Sequence, residues 1–299
     1  MSTAARDALV DAILAFLSGQ HHVPIDEMRA ALEREIDQAG PHALEELWRQ
    51  LNQLDGEWGY YPPDPLARRI HHVLADRLLD RGSALFGVEH VHTVAGKPVV
   101  VFANHLSYAD ANLLEILLQR SNGQSLAGRL TALAGPKVFT SRKRRFSSLC
   151  FGTIKVPQNS GLSSDEAVMS ARDVARAARQ SIDAACERLR HGDALLLFGE
   201  GTRSRTHGMQ PLLIGVARYL EDDATYVLPI GITGTEMLFP IDDDVLHPGR
   251  IIARVGPPTT VGALRADANG DKRAVLDAIG FAIAALLPPE YRGVYGESR

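Results

Sequence analysis

Residues 99–110 read Val99-Val100-Val101-Phe102-Ala103-Asn104-His105-Leu106-Ser107-Tyr108-Ala109-Asp110. Three valines and a phenylalanine in a row make a short strand that is apolar on both faces, as in the interior of a parallel sheet. A polar cluster follows at once. Residues at the carboxyl end of a parallel strand sit where α/β sheets place their ligands. Asp110, five residues beyond His105 and at the opening of a helix, can fold back toward the imidazole. A carboxylate on Nδ1 leaves Nε2 free to take a proton and stabilises the imidazolium that forms.

Outward from this stretch, short apolar runs alternate with amphipathic ones. Pro98–Phe102, Leu130–Ala134, Thr153–Val156, Ala194–Phe198, Tyr226–Ile232 and Ile251–Val255 read as strands. A long helix is expected from about Asp165 to Leu189, capped by Ser164. The alternation predicts an α/β fold, a mostly parallel sheet flanked by helices. On the amino-terminal side the period is helical. Leu9, Val10, Ile13, Leu14 and Leu17 form one stripe closed by Gly19, and Met28, Leu32 and Ile36 begin a second. Leu44, Leu47, Leu51 and Leu54 form a third, Tyr60–Pro65 breaks the pattern, and Ile70, Val73, Leu74, Leu78 and Leu85 resume it. The chain thus divides into an N-terminal helical module, residues 1–90, and an α/β domain, residues 91–299.

The charge divides in the same way. Residues 1–96 hold 8 Lys and Arg against 15 Asp and Glu, a net of −7, which leaves +3 for residues 97–299 out of the total of −4. Arg142-Lys143-Arg144-Arg145 is the only dense basic run and has no zinc-finger, stacking or helix-turn-helix signature with it, so nucleic acid is not an expected partner. Cys150 and Cys186 are too few for a disulfide framework and read as core residues, which fits a reducing cytoplasm. No run reaches the roughly 18 apolar residues of a spanning helix. Any membrane contact is therefore expected to be peripheral, on the inner face. The pairs His21 and His22, His71 and His72, and His90 and His92 lack a third partner at metal-ligand spacing and read as surface or capping residues.

A second cluster follows another apolar strand: Phe198-Gly199-Glu200-Gly201-Thr202-Arg203-Ser204 after Ala194–Phe198. It should reach the same rim of the sheet as His105. Gly201 permits a tight turn, Thr202 and backbone amides can donate, and Arg203 offers a planar fork for an anion with Glu200 to hold it.

The two clusters together resemble the glycerolipid acyltransferase family, marked by Asn-His-x-x-x-x-Asp and later by Phe-Pro-Glu-Gly-Thr-Arg-Ser. Gly152-Thr153-Ile154-Lys155-Val156 looks like the family's glycine-led strand, and Val227-Leu228-Pro229-Ile230 like its later proline-containing strand. The resemblance covers roughly residues 97–255. It implies His105 as general base with Asp110 as its partner, and Glu200, Gly201 and Arg203 in the acceptor-binding wall. The donor would be an acyl thioester of coenzyme A or acyl carrier protein, the acceptor a lipid or other alcohol, with no cofactor and no metal. Amides of the Asn104–Ser107 turn are the expected donors to the tetrahedral oxyanion. Two departures bear on the acceptor. Gly199 replaces the usual proline, and Gln158 stands where the family commonly has an arginine for the acceptor phosphate. Lys137, Lys155 or the 142–145 run would then have to assist Arg203. The chain has no Gly-x-Ser-x-Gly elbow, which disfavours a covalent acyl-enzyme. A thioesterase using water, and a non-catalytic membrane-binding protein, are the rival readings.

Overall fold

The computed structural model describes residues 3–15, 25–53, 57–157, 170–241 and 245–296. Among them the apolar runs form one sheet: β1 Tyr60–Tyr61, β2 Ala84–Phe86, β3 Val99–Ala103, β4 Leu130–Ala134, β5 Gly152–Lys155, β6 Ala194–Phe198, β7 Tyr226–Thr233, β8 Ile252–Val255 and β9 Thr259–Thr260. The order is β1-β5-β4-β6-β3-β7-β8-β2, with β9 beside β7. The pairs β5–β4, β4–β6, β6–β3, β3–β7 and β8–β2 are parallel. Antiparallel pairing is confined to β1–β5, β7–β8 and β7–β9. Every residue of β3 is buried, which is why its sequence shows no alternation.

Eleven helices accompany the sheet among the described residues: α1 Thr3–Leu14, α2 Ile25–Asn52, α3 Pro65–Leu78, α4 Val88–Thr93, α5 Asp110–Arg120, α6 Gln124–Ala127, α7 Arg142–Ser148, α8 Ala171–Arg190, α9 Thr235–Leu238, α10 Val261–Asp267 and α11 Lys272–Ala284. The mostly parallel sheet flanked by helices is the architecture expected from the alternating runs. All six expected strands are present.

Three features of the amino-terminal region go beyond the helical reading. Tyr60-Tyr61 pairs with β5, and Ala84–Phe86 pairs with β8, so Leu85 belongs to a strand and not to the helical stripe. Strands this short carry no periodicity of their own and exist because a neighbour offers an unpaired edge. The second and third stripes lie on the two halves of α2, which breaks at Gly40 (φ 81°, ψ 170°) just before Pro41. Finally, Leu9, Val10, Ile13 and Leu14 are buried, so this stripe packs inside the protein and is not presented to a surface. Leu17, Gly19, Leu54, His21 and His22 lie outside the described residues. One apolar core runs from Leu9 through Ile70 and Leu74 to Val99, Val101 and Leu228, joining the helices to one face of the sheet.

Two helix starts show capping by the residue before the helix. Asp64 caps α3 by accepting from the Leu66 and Ala67 amides, both at 2.9 Å, with Pro65 at the first helical position. The long helix, α8, opens at Ala171, later than the expected start near Asp165, because Ser170 is extended and caps it by accepting from the Asp173 amide. Ser164 and Asp165 lie outside the described residues.

Candidate active site

β3 and β6 are parallel neighbours in register, Ala103 opposite Phe198. The two polar clusters therefore leave the sheet side by side. They are stitched through the backbone of His105: its N–H donates to Glu200 Oε1 at 2.8 Å, and its carbonyl accepts from the Ser204 amide at 2.8 Å. The Asn104 amide anchors the turn on the other side. Its Nδ2 donates to the Ile232 carbonyl at 2.9 Å and its Oδ1 accepts from the Ile232 amide at 2.8 Å, extending the β3–β7 ladder by one side chain.

His105 Nδ1 donates to Asp110 Oδ2 at 2.7 Å. The same oxygen accepts from the Leu106 and Ser107 amides at 2.7 and 3.0 Å. Asp110 is fully buried at the first turn of α5, where the helix dipole favours its negative charge. The imidazole stacks on Phe198, with centroids 4.4 Å apart and planes 19° apart. Tautomer and ring plane are thus both held, and Nε2 is the nitrogen available to take a proton. The amides of His105, Leu106 and Ser107, expected to meet an oxyanion, are already committed to Glu200 and Asp110. That expectation is corrected: the turn spends these donors on orienting the base.

Glu200 does not hold Arg203, the partner expected from the sequence. Its carboxylate instead accepts from His105 N and, through Oε2 at 2.7 Å, from the Gln210 amide. It joins the two loops. Burial pushes its carboxyl up to about 7 against the pull of those two amides, and the charge of Asp110 adds to the rise. The folded protein then binds this proton more tightly than the unfolded chain does. Glu200 therefore makes stability fall as pH rises from about 4.5 to about 7. The full loss is on the order of 3 kcal/mol, since each tenfold gain in proton affinity is worth about 1.4 kcal/mol. Because buried, neutral His71 contributes with the opposite sign over much of this range in both proteins, the readout is the difference between urea midpoints: the wild type should lose ground to Glu200→Gln as pH rises from about 4.5 to about 7. Parallel curves would show that Glu200 titrates in the ordinary range.

Beside this turn, Gly201 has φ +72° and a Cβ there would run into Leu213. Thr202 is exposed. The Arg203 guanidinium lies 3.6 Å from the Tyr108 ring centroid, with Nη1 buried and unpartnered. Burial, and the like charge of Arg144, push the Arg203 guanidinium down. A cavity of about 570 Å³ opens at His105 and Gly201. It runs between the ends of β4 and β5, the Val174, Ala178 and Ile182 face of α8, and the 213–219 segment. Its size is that of a small-molecule pocket and its walls are mostly apolar.

A family model described as Acyltransferase matches residues 84–233, which is 150 of the 299 residues. The chain belongs to this acyltransferase family. The match takes in both polar clusters and every strand from β2 to β7. Among solved structures, the acyltransferase is similar to the 1-acyl-sn-glycerophosphate (LPA) acyltransferase PlsC from Thermotoga maritima, at 15% identity over 95% of each chain with a TM-score of 0.49. No curated protein matches it.

Of the remaining expected site residues of the acyltransferase, Lys137 lines the cavity, whereas Ser107, Gly152 and Lys155 belong to the scaffold beside it. Ser107 is buried and donates through Oγ to the Phe239 carbonyl at 3.0 Å. Gly152 is buried in β5, where a Cβ would collide with Thr131. Lys155, almost fully buried, places Nζ 4.7 Å from the Trp58 ring centroid and 5.4 Å from that of Phe139. Gln158 lies outside the described residues. The basic run 142–145 does not make one cationic face, because it is helical and its three arginines turn to different partners. Arg142 bonds Asn52 and Arg144 lies over Tyr108. Arg145 is buried against Tyr61 and Phe139. His71 is likewise buried, not a surface residue, and Cys186 is only partly buried whereas Cys150 is fully so. The sequence reading missed Tyr108, and Arg144 entered it only as one member of the 142–145 run. The signal for Tyr108 was its place inside the first cluster, three residues after His105.

Proposed function

We propose that this acyltransferase moves a fatty acyl group from an acyl thioester of coenzyme A or acyl carrier protein to the hydroxyl of an anionic alcohol or lipid acceptor. The observation that carries this reading is the His105–Asp110 hydrogen bond of 2.7 Å at the mouth of a largely apolar cavity of about 570 Å³. The cavity takes the acyl chain and brings the thioester carbonyl to His105. Nε2 accepts the proton of the acceptor hydroxyl as its oxygen bonds to the carbonyl carbon. Asp110 stabilises the imidazolium. When the tetrahedral intermediate collapses, the C–S bond breaks and the proton passes from Nε2 to the departing thiolate. No covalent acyl-enzyme is needed.

Arg203 is the group proposed to meet the acceptor's anion, since its guanidinium is partly buried and has no carboxylate partner among the described residues. Among the described residues no helix is long and apolar enough to cross a membrane. Leu213 and Ile214, exposed beside the cavity, offer an apolar edge by which the protein can lie on a lipid surface.

The test is to supply acyl-coenzyme A and acyl carrier protein thioesters with a panel of phosphorylated and unphosphorylated acceptors and to identify products by mass spectrometry. Acylated acceptor is the expected result. Free fatty acid alone would make the protein a thioesterase, and no product from any pair would overturn the reading. In the same assay Arg203→Lys keeps the charge but loses the planar fork and its stacking on Tyr108. It should raise the Michaelis constant for a phosphorylated acceptor about tenfold, the scale of one desolvated cation–π or bidentate contact. A constant unchanged by Arg203→Lys would place the anion elsewhere.

A further inference from the structure

The family match ends at residue 233, yet the loop that completes the site is held by residues well beyond it. Residues 208–213 run past the turn after β6 with partners on both sides. Toward the site, the Gly208 carbonyl accepts from Ser204 Oγ at 2.7 Å and the Gln210 amide donates to Glu200 Oε2 at 2.7 Å. The Leu213 amide donates to the Gly199 carbonyl at 2.8 Å. The residues between turn the other way. The Met209 amide donates to the Tyr291 carbonyl, and the Met209 carbonyl accepts from the Val294 amide, both at 3.0 Å. The Leu212 amide donates to the Tyr295 hydroxyl at 3.1 Å, and the Leu212 carbonyl accepts from Arg273 Nη1 at 2.6 Å.

These outer partners come from α11 and from two single 3₁₀ turns after it, Pro289–Tyr291 and Gly293–Tyr295. Arg273 and Asp277 lie one helical turn apart on α11 and pair at 2.7 Å. The Tyr295 hydroxyl donates to Asp277 Oδ1 at 3.4 Å, which leaves its lone pairs toward the Leu212 amide. The Tyr295 ring is fixed as well. It is buried against Gly280, where a Cβ would lie 2.3 Å from it, and it meets Phe281 edge-on with centroids 5.1 Å apart. Leu212 is two residues from Gln210. Pro211 between them has a fixed φ, so a displacement of the Leu212 peptide passes to Gln210 instead of being absorbed. From Gln210 the path continues through the Glu200 carboxylate to the His105 amide.

We propose that Tyr295 is a positioning residue for acyl transfer: its hydroxyl fixes the Leu212 peptide, which seats the Gln210 amide on Glu200 and so holds the His105 backbone. This role rests on the proposed acyl transfer and extends its machinery to a residue outside the family match. Tyr295 does not line the cavity, so its effect falls on the chemical step and not on donor binding.

Tyr295→Phe tests the role in the full chain, since it deletes the hydroxyl and keeps the ring that fills the hollow at Gly280. kcat for acyl transfer should fall roughly ten- to a hundredfold, the scale of a small misplacement at a reacting group, with the donor's Michaelis constant near the wild-type value. Phe281→Leu is the control, because it removes the edge contact on the same ring and leaves the hydroxyl bonds. It should lose stability yet keep wild-type kcat when assayed well below its melting temperature. An unchanged kcat in Tyr295→Phe, a loss confined to the Michaelis constant, or an equal kcat loss in Phe281→Leu would each overturn the proposal. Added to Glu200→Gln, Tyr295→Phe should cost much less than in the wild type, because the carboxylate that relays the effect is already gone. A full additional loss would also overturn it. Amide exchange followed by NMR needs no substrate. The Gln210 and His105 amides should exchange about three- to tenfold faster in Tyr295→Phe, the worth of one net hydrogen bond, while those of Val99–Phe102 stay unchanged. Faster exchange that stops at Leu212 would sink the relay to His105. If the wild type acylates no acceptor, the proposed function fails, while exchange at His105 still decides whether Tyr295 reaches that turn.

Discussion

Replacing His105 by alanine should lower acyl transfer by about a hundred- to ten-thousandfold, the usual worth of a general base. The fold should survive, because the contacts that shape the turn are made by backbone groups. Glu200 still accepts the residue 105 amide, and the residue 105 carbonyl still accepts from Ser204. Asp110 keeps its bonds from the Leu106 and Ser107 amides. What is lost is the stacking on Phe198 and the proton acceptor. Initial rates with an acyl thioester and an accepted alcohol, together with circular dichroism and thermal melting, make the measurement. A folded alanine variant with wild-type turnover would remove His105 from the mechanism and leave the cavity to binding alone.

Asp110→Asn should be nearly as damaging to turnover, by roughly a hundred- to a thousandfold, for an electrostatic reason. The asparagine oxygen can occupy the place of Oδ2 and keep all three N–H donors, His105 Nδ1, Leu106 N and Ser107 N. The imidazole is then still held, but the imidazolium that forms in the transition state has lost its buried counter-charge. The new amide nitrogen falls where Oδ1 already lacks a partner, which costs about 1–2 kcal/mol of stability. The loss should appear in kcat, with the donor's Michaelis constant nearly unchanged, since Asp110 is buried behind His105 and does not line the cavity. A drop confined to the Michaelis constant would mean that Asp110 shapes binding and not proton transfer.

Both catalytic proposals were legible before any coordinates because they depend on short-range chemistry. Val99–Phe102 can only be a doubly buried strand, the polar residues after it must leave the sheet at its carboxyl end, and five residues suffice to bring Asp110 back to His105. The same logic placed Glu200 to Arg203 on the same rim, once β3 and β6 were both read as parallel strands. Local pattern likewise yielded the α/β architecture and the six strands from β3 to β8.

Long-range geometry decided the rest. Whether Glu200 would hold Arg203 or the His105 amide depends on which way the turn after β6 faces, and that follows from its packing against the Gln210 segment, ten residues on. The turn amides could serve an oxyanion or a carboxylate, and the depth at which Asp110 is buried settled the matter. Four consecutive basic residues are alike in charge, yet a helix sends each about 100° from the last, so only contact with Tyr108 singles out Arg144. The two shortest strands of the amino-terminal half, β1 and β2, carry too few residues for any period and are defined by partners some ninety and some one hundred and seventy positions away. Strand ends and i, i+5 approaches are properties of the local chain; grooves, edges and the direction of a guanidinium are set by what packs against them from afar.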